Sequence, residues 1–583
     1  MQDLDHALNQ AVAADNLLPD SRDNILALVA AASSPVARES VRELVDRGEW
    51  QELDDRFFRK LAFGTGGLRG RTIGRVITTA ERGEPDALER PQHACIGTNA
   101  MNDFNIVRAT RGLCAYVGEF ARANQSPARP SLAIAHDTRH FSRHFAELTA
   151  RVAAQSGLDV HLFDGPRSTP ELSFAVRHLE ATAGVVLTAS HNPPHDNGYK
   201  VYFADGGQVV DPHASAIIER VNALASDQYD PLPESEQGAI HTIGSEIDQA
   251  YMDKLESLLL RPELVRELRD FKVVFTPIHG TGGVITVPML ERLGFQCLSV
   301  PAQSRMDGRF PTVKSPNPEN AEALDMAREL AERENAELVI GTDPDSDRMG
   351  ALVRGSDGTM QLLTGNQIGS LLAHYRTRTY FELGILDGDC SSNAAIIKTL
   401  VTTDLQKAIA EKAGIKCVET LTGFKYIGAK LEKYERAIPA GLRAGYRAMS
   451  ERQTRKLRLE HSTFYVFGGE ESYGYSGSDF VRDKDANGSV VMLAEVAAYA
   501  KSRGLTIDQL LDEIYTEYGL HIERSGNLVF EGAEGAGKIR RLAESYAANP
   551  PDEVIDIAVS RTINYASDEI VDCEGDRLPS ERM

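Results

Sequence analysis

The sequence predicts an α/β fold of three consecutive domains with mixed or parallel sheets, followed by an incomplete C-terminal α+β domain. Short apolar runs of strand length alternate with segments of helical period from about residue 105 to 500, a pattern typical of βαβ units. A polar loop follows a predicted strand in each of three stretches. The length of 583 residues is too great for one hydrophobic core and indicates three or four domains.

The domain boundaries are predicted from shifts in composition. Residues around 225–247 turn polar and contain Asp230-Pro231-Leu232-Pro233, which is typical of a linker. The predicted units are an N-terminal helical extension (1–55), a first α/β domain (56–235), a second (236–357), a third (358–505), and a linker with an incomplete fourth domain (506–583).

Each predicted element rests on its hydrophobic period or on its capping residues. In the N-terminal extension, Leu26, Val29, Val41 and Leu44 recur at helical spacing. In the first domain, Ser168-Thr169-Pro170-Glu171 is a capping pattern that opens a helix. The remaining predicted elements are helices 106–121, 142–155, 284–293 and 321–334, and strands 132–135, 160–163, 184–187, 272–275, 297–300, 338–340 and 464–467.

The charge and composition exclude several classes of partner. The net charge of −22 opposes a nucleic acid or an anionic membrane surface as the main partner. The six cysteines show no CxxC spacing, so neither a disulfide framework nor a zinc site is indicated. The acidic N-terminus does not resemble a signal peptide, and the apolar run 25–32 is too short to span a bilayer. We therefore expect a cytoplasmic protein, while its oligomeric state stays open.

A serine loop follows the apolar run 184–187. Its sequence, Thr188-Ala189-Ser190-His191-Asn192-Pro193, excludes regular structure because of the proline and the Asn-Gly pair at 197–198. In isolation, such a serine more often caps a turn. At the carboxyl end of an α/β strand, however, it is placed where ligands bind. A serine hydrolase is excluded because no GxSxG motif surrounds Ser190.

Three aspartates, Asp343, Asp345 and Asp347, follow the predicted strand 338–340. Because they alternate along an expected extended loop, their carboxylates are predicted to point to one side. Converging carboxylates repel each other, and a hard divalent cation resolves this. An EF-hand is excluded, since its glycine and glutamate positions would hold Arg348 and Arg354.

Three further loops carry candidate ligand contacts, and a fourth motif resembles a P-loop only in part. The loop 63–70 is rich in glycine and offers Arg69 as an anion contact. The loops 420–425 and 468–475 place hydroxyl and carboxylate side chains where sugar hydroxyls could bind. The segment 532–539 matches GxxxxGK, but Ile539 replaces the serine or threonine that a P-loop needs, so nucleotide binding is not expected.

Taken together, these loops resemble the α-D-phosphohexomutases, which are phosphoglucomutase- and phosphomannomutase-type enzymes. The resemblance runs from Phe63 to about Asn549, and loop 63–70 with Tyr473-Gly474-Tyr475 is most similar to the bacterial phosphoglucomutase branch. It implies transfer of a phosphoryl group between C1 and C6 hydroxyls of a hexose, through phosphoserine and a bisphosphorylated sugar. Glucose 1-phosphate and glucose 6-phosphate are the expected pair, with phosphomannomutase or phosphopentomutase activity as alternatives.

The resemblance also implies roles for individual residues. Ser190 would carry the phosphoryl group, and Asp343, Asp345 and Asp347 would bind Mg²⁺ together with an oxygen on Ser190. Glucose 1,6-bisphosphate would be the intermediate and activator, and a small phosphosugar the substrate. Arg69 and Lys200 are candidates for general acid–base duty, Lys200 only if its pKa is depressed. The implied substrate-binding residues are Glu470, Ser472, Thr422, Gly423, Arg348, His279 and His191.

One expected motif is missing from the sequence. Members of this family grip the substrate's second phosphate with Arg-x-Ser-Gly-Thr-Glu in a fourth domain, and the nearest fragment here is 524–527. We therefore expect a chain truncated within its fourth domain, with weak turnover because remote binding energy is lost. The alternative is an impaired relative that binds phosphosugar or a partner protein without turnover.

Overall fold

Three sheets follow one another along the chain in a computed structural model. The structure describes residues 2–61, 67–125, 128–268, 271–523, 528–530, 532–560, 562–564 and 570–578. The first part of loop 63–70 and the fragment 524–527, both singled out above, lie outside the described residues. Among those described, none of the helices combines the length and apolarity needed to cross a membrane.

The N-terminal helices form a small bundle on the first α/β domain. Their apolar faces make one buried cluster with Ile96 and Phe104 of that domain. A buried ion-pair network links these helices to one another: Arg56 contacts Glu52 at 2.7 Å and Glu81 at 2.5 Å. The helices are α1 (Gln2–Ala13), α2 (Pro19–Ala31), α3 (Pro35–Asp46), α4 (Trp50–Phe57) and the short α5 (Thr79–Arg82).

The first sheet has six strands in the order β1-β5-β4-β2-β3-β6. Its parallel core ends at one edge, where the serine loop leaves β4. The Asn-Gly pair at 197–198 lies in β5, so the prediction that it excludes regular structure was wrong. The exposed strand β6 pairs with β3, so the sheet extends beyond the boundary predicted at 235. The polar composition there belongs to an edge strand as well as to a linker. The elements are β1 (Gly67–Arg71), α6 (Asp103–Ala123), β2 (Ser131–His136), α7 (Ser142–Gln155), β3 (Asp159–Phe163), α8 (Thr169–His178), β4 (Ala183–Leu187), β5 (Asp196–Phe203), α9 (His213–Ala223) and β6 (Ile240–Ile243).

The second sheet has five strands in the order β11-β10-β9-β7-β8. Strand β9 is buried throughout and leads directly to the three aspartates. Strand β11 still pairs with β10, so this sheet extends beyond the boundary predicted at 357. The elements are α10 (Ser245–Glu256), α11 (Pro262–Arg266), β7 (Lys272–Thr276), α12 (Thr286–Arg292), β8 (Gln296–Ser299), α13 (Pro301–Ser304), α14 (Ala321–Glu334), β9 (Leu338–Thr342), β10 (Met349–Arg354) and β11 (Met360–Leu362).

The third sheet has four strands in the order β13-β12-β14-β15. The largest buried cluster runs from this domain into the second and first. Its long helix α20 is enclosed on all sides, since nearly every residue in it is buried. The elements are α15 (Gly365–Glu382), β12 (Ala394–Thr399), α16 (Leu405–Ala413), β13 (Lys416–Thr420), α17 (Phe424–Ala437), α18 (Ala440–Arg443), α19 (Glu451–His461), β14 (Phe464–Gly469), β15 (Tyr475–Ser476), α20 (Ala486–Ser502) and α21 (Ile507–Tyr518).

The C-terminal region is a helix followed by a two-stranded hairpin, α22 (Gly532–Ala548), β16 (Glu553–Val554) and β17 (Ile557–Ala558). The GxxxxGK segment lies inside α22, so its backbone does not form a phosphate-binding loop. Segment 570–578 lies against the third domain, where Glu574 contacts Lys416 at 3.1 Å. The predicted α/β class with three successive domains is thus confirmed, with an additional C-terminal region.

Candidate active site

The serine loop leaves β4 in a conformation that few residues adopt. Ser190 has φ of 52°, a left-handed backbone that costs a non-glycine residue free energy and is concentrated at functional sites. Thr188 Oγ1 accepts a hydrogen bond from Ser190 N at 2.8 Å and donates one to Asp137 at 2.6 Å. The loop is therefore held from below by polar groups of the first sheet.

A buried arginine clamps the same loop from its other side. The side chains of Arg139 and Asp137 are both fully buried, and Arg139 Nε lies 3.2 Å from Asp137 Oδ2. The two terminal nitrogens of Arg139 donate to four backbone carbonyls. These belong to Ser190 (2.6 Å), Asn192 (2.5 Å), Pro193 (2.6 Å) and Asp196 (3.0 Å). A planar five-donor fork suits this task in a way that a lysine does not.

The three aspartates meet Ser190 across the interface of the first and second domains. Ser190 Oγ donates to Asp343 Oδ2 at 2.7 Å. Ligand oxygens of Asp343, Asp345 and Asp347 lie within 4.8 Å of one another, and all three residues are buried. The loop is a turn and not the extended segment that we predicted, and Ser346 has φ of 53°. The carboxylates therefore converge through a tight turn.

The electrostatics of this cluster suit a divalent cation. Burial, followed by repulsion from Asp345 and Asp347, raises the pKa of Asp343 well above its usual value. Within the described residues, Asp345 Oδ1 and Asp347 Oδ1 are buried without a hydrogen-bond partner. Unsatisfied buried carboxylate oxygens are costly unless a cation or a donor meets them. The donor set is all oxygen, which matches the preference of magnesium.

Two lysines stand on the outer side of the cluster. Lys200 Nζ lies 2.7 Å from Asp345 Oδ2 and 3.2 Å from Asp347 Oδ2, and Lys484 Nζ lies 3.2 Å from Asp347 Oδ2. Burial opposes the charge of Lys200, but the two carboxylates outweigh it and raise the pKa above its ordinary value. A general base at Lys200 needs the opposite shift. The two ion pairs suit an electrostatic role for Lys200, and its acid–base duty stays a prediction.

His191 and Arg69 lie beside the serine. His191 Nδ1 is 3.1 Å from Ser190 Oγ. Burial, then the charges of Arg348 and Arg69, lower the pKa of His191 to about 3, so the ring is neutral at pH 7. Arg69 projects from β1 and donates to Asn192 Oδ1 at 3.4 Å.

The third domain brings a carboxylate and two loops to the same side. Glu470 is buried and its Oε1 accepts from Gly423 N at 2.9 Å, which joins the loops 420–425 and 468–475. Burial raises the pKa of Glu470. Thr422 is exposed and Ser472 is half-buried. Their contacts with a sugar stay predictions.

Arg348 and His279 differ in how they face this region. Arg348 forms an ion pair with Glu319 and lies 3.9 Å from Asp347. Both ring nitrogens of His279 are engaged, by Arg305 O at 3.0 Å and Thr312 Oγ1 at 2.9 Å. His279 therefore organises its own loop, and a substrate contact through its ring stays a prediction.

Sequence reasoning missed several residues of this site. It did not propose Arg139, Lys484 or Thr169 for the site. The hydroxyl of Thr169, which the sequence placed only in a helix cap, donates to Asp345 Oδ2 at 2.7 Å. Arg139 belongs to His136-Asp137-Thr138-Arg139, a polar run directly after β2, and this position was the available signal. Lys484 follows no strand and carried no such signal.

Comparison with known proteins gives a family to this arrangement. Models of the phosphoglucomutase/phosphomannomutase alpha/beta/alpha domains I, II and III match residues 94–228, 249–356 and 364–518. The phosphoglucomutase of Staphylococcus aureus (strain MRSA252) is 32% identical over 530 residues, which cover 90% of this chain and 84% of the relative. The phosphoglucomutase of Staphylococcus epidermidis (strain ATCC 12228) is 31% identical over 543 residues, covering 92% and 87%.

Solved structures share the fold at lower sequence identity. A phosphoglucomutase/phosphomannomutase family protein from Burkholderia thailandensis superposes with a TM-score of 0.56 at 17% identity, over 86% of this chain and 87% of that one. The Paramecium phosphoprotein pp63/parafusin, a phosphoglucomutase in its open form, gives 0.53 at 19% identity, over 83% and 79%. The chain belongs to the phosphoglucomutase/phosphomannomutase family of the α-D-phosphohexomutase superfamily and is a mutase-type isomerase acting as a phosphohexomutase.

Proposed function

We propose that this chain moves a phosphoryl group between the C1 and C6 hydroxyls of a hexose and interconverts glucose 1-phosphate and glucose 6-phosphate. The observation that carries the proposal is the contact of 2.7 Å between Ser190 Oγ and Asp343 Oδ2 within a buried acidic cluster. A serine hydroxyl beside a cation site is suited to hold and release a phosphoryl group. The names of the Staphylococcus relatives favour glucose over mannose or a pentose.

Ser190 carries the phosphoryl group between turnovers. A sugar hydroxyl attacks the phosphorus and loses its proton, the bond from phosphorus to Ser190 Oγ breaks, and Oγ is protonated again. The product of this step is glucose 1,6-bisphosphate. Its other phosphate returns to Ser190 after the sugar has turned over, which completes the exchange.

The surrounding cations stabilise the charge on the transferring group. Arg69 on β1 contacts the serine loop at Asn192, and Lys200 on the neighbouring strand β5 contacts Asp345. Preorganised positive charge of this kind is a large contribution to phosphoryl transfer. Asp343, Asp345 and Asp347 would hold Mg²⁺ together with an oxygen of phosphorylated Ser190. When bound, this ion neutralises the phosphoryl oxygens.

The third domain binds the sugar. Glu470 and Ser472 form hydrogen bonds with the ring hydroxyls of the sugar. Thr422 and Gly423 contact the sugar in both of its orientations. The link of 2.9 Å between Glu470 and Gly423 supports this, because it makes the two loops one surface. Arg348, His279 and His191 line the same space on the side of the second and first domains.

The experiment that tests the proposal is phosphorylation of Ser190. The purified chain is incubated with glucose 1,6-bisphosphate and Mg²⁺, and the phosphorylated residue is located by mass spectrometry. Ser190→Ala should abolish both the phosphopeptide and glucose 1-phosphate turnover, whereas Ser257→Ala, on an exposed helix end, should change neither. The proposal would be refuted if Ser190 of the wild-type chain stayed unmodified and Ser190→Ala kept the wild-type turnover.

Parallel assays separate the remaining alternatives. A kcat/KM for mannose 1-phosphate or a pentose phosphate above that for glucose 1-phosphate would change the substrate. Ser190 phosphorylation without turnover of any of them would support the impaired relative that the sequence raised as an alternative.

A further inference from the structure

A cavity of about 1000 Å³ lies between the N-terminal helices, strand β1 and helix α22. Six arginines and three carboxylates line it, although the whole chain carries a net charge of −22. The cavity is outside the acidic cluster, and the function proposed above assigns no ligand to it. Its lining includes Arg69, whose guanidinium also reaches the serine loop at Asn192.

Two of the six arginines are neutralised within the protein. Arg56 is paired with Glu52 and with Glu81, which lies outside the cavity lining. Arg75 lies 3.5 Å from Asp55. These pairs consume two of the three lining carboxylates and leave Glu544 as the third.

The other four arginines, which are Arg59, Arg69, Arg71 and Arg540, have no carboxylate partner in the described part of the chain. Arg59 donates to the neutral Asn99 at 3.0 Å, and its guanidinium lies 4.9 Å from the ring centre of Phe58. Among the described residues, the hydrogen-bond partner of Arg69 is the amide oxygen of Asn192. For Arg71 and Arg540, the described residues offer neither a hydrogen bond nor an ion pair to the guanidinium.

The fold brings these charges to one side. Arg69 and Arg71 are alternate residues of β1 and so share a face, roughly 7 Å apart along the strand. Arg540 comes from α22 on the far wall, one turn after Ala536, which leaves room for a ligand. Like charges that converge without counter-charge repel each other, and a bound anion relieves that cost.

We propose that this cavity binds a phosphomonoester dianion through Arg59, Arg71 and Arg540, with Arg69 linking it to the serine loop. Guanidinium groups match phosphate oxygens in bidentate geometry. A small ester is favoured over a nucleic acid because the chain as a whole is strongly acidic. Two sources share this chemistry: the non-reacting phosphate of the sugar substrate, and a separate phosphorylated effector.

Isothermal titration calorimetry of the full chain with inorganic phosphate tests the proposal, because it measures binding without requiring catalysis. Arg71→Gln combined with Arg540→Gln should weaken binding by about tenfold for each arginine removed, since a hydrogen bond between charged groups contributes about one such factor. Arg328→Gln removes the same charge from an exposed ion pair on α14 and should leave the affinity unchanged. Equal affinity in the wild type and the double variant would overturn the proposal.

A second measurement needs no variant. Phosphate should protect Arg71 and Arg540 of the wild-type chain from an arginine-selective dicarbonyl reagent, as read by mass spectrometry, and absence of protection would count against the site. Kinetics then distinguish the sources. If the phosphate belongs to the sugar, KM for glucose 1-phosphate rises in the double variant and inorganic phosphate competes with the sugar; if it belongs to an effector, phosphate binds without competing. Phosphate binding in a chain without mutase activity would refute the proposed function alone.

Discussion

Replacing Arg139 should loosen the serine loop more than it loosens the first domain. The side chain is fully buried, contacts Asp137, and donates to the carbonyls of four loop residues. Arg139→Met leaves the Asp137 carboxylate buried without its cation, and breaking such a pair costs about 3–5 kcal/mol. Thr188 and Ser142 hydroxyls still donate to Asp137, at 2.6 Å each, so the lower end of that range is expected.

The effect on phosphoryl transfer should exceed what lost stability explains. Displacement of a reacting group by about 1 Å can reduce a rate by roughly 10²-fold. We therefore expect Ser190 phosphorylation by glucose 1,6-bisphosphate to slow by that order in Arg139→Met. Arg139→Lys should recover little, because one ammonium cannot reach four carbonyls from a single position.

The assay pairs urea unfolding with the rate of Ser190 phosphorylation. Leu132→Ala is the matched control, because Leu132 is fully buried in the same sheet and pairs with Ala183, at the end of β4 away from the loop. It should cost about 2–5 kcal/mol while leaving the rate nearly unchanged in the folded protein. A rate in Arg139→Met that equals that of Leu132→Ala would refute the positioning role.

Three further outcomes are expected. Burial opposes the charge of Glu81, but the charge of Arg56 outweighs burial and keeps the pKa of Glu81 below the ordinary 4.5. The ionised Glu81 therefore stabilises the fold above pH 4.5, and this stabilisation is lost as the pH falls through the lowered pKa. Glu81→Gln should flatten the acid unfolding curve in this pH range. Burial raises the pKa of Glu495 to about 7. The free energy of unfolding should therefore fall by on the order of 3 kcal/mol as the pH rises from 4.5 through 7. Glu495→Gln should remove this pH dependence, and an unchanged dependence in the variant would contradict the prediction. Lys484→Gln should lower kcat, because the contact of 3.2 Å with Asp347 is lost. An unchanged rate of phosphoryl transfer in single-turnover kinetics would show that Lys484 has a purely structural role.

Local sequence patterns predicted those parts of the fold that depend on neighbours along the chain. The capping pattern at 168–171 is one case, since Ser168 accepts from Glu171 N at the start of α8. Strand β9 and the three aspartates after it are another, because an apolar run followed by acidic residues can be identified within a few positions of the sequence. Strand β6 was missed as part of the first sheet, since its four residues, Ile240 to Ile243, show no apolar–polar alternation and only the pairing with β3 identifies it.

The contacts that assemble the site were beyond local patterns. Lys200 reaches Asp345 across 145 positions, and this contact depends on how two separately folded domains pack. The sign of the Lys200 pKa shift depends on the same packing, because burial alone would lower it and the carboxylates reverse the direction. Sequence reasoning could therefore propose Lys200 for the site but could not choose between a base and a charge clamp.

Backbone strain shows why the geometry of the loops was the least predictable feature. Ser190, His279, Ser346 and Tyr473 all have positive φ, and each lies in a loop that contributes to the site. None is a glycine, so composition gave no sign of a left-handed backbone, which costs about 1–3 kcal/mol at each position. At Ser346 this conformation turns the chain between Asp345 and Asp347. The convergence of the carboxylates, which we predicted from an extended loop, thus depends on a strained turn that the buried sheets around it hold in place.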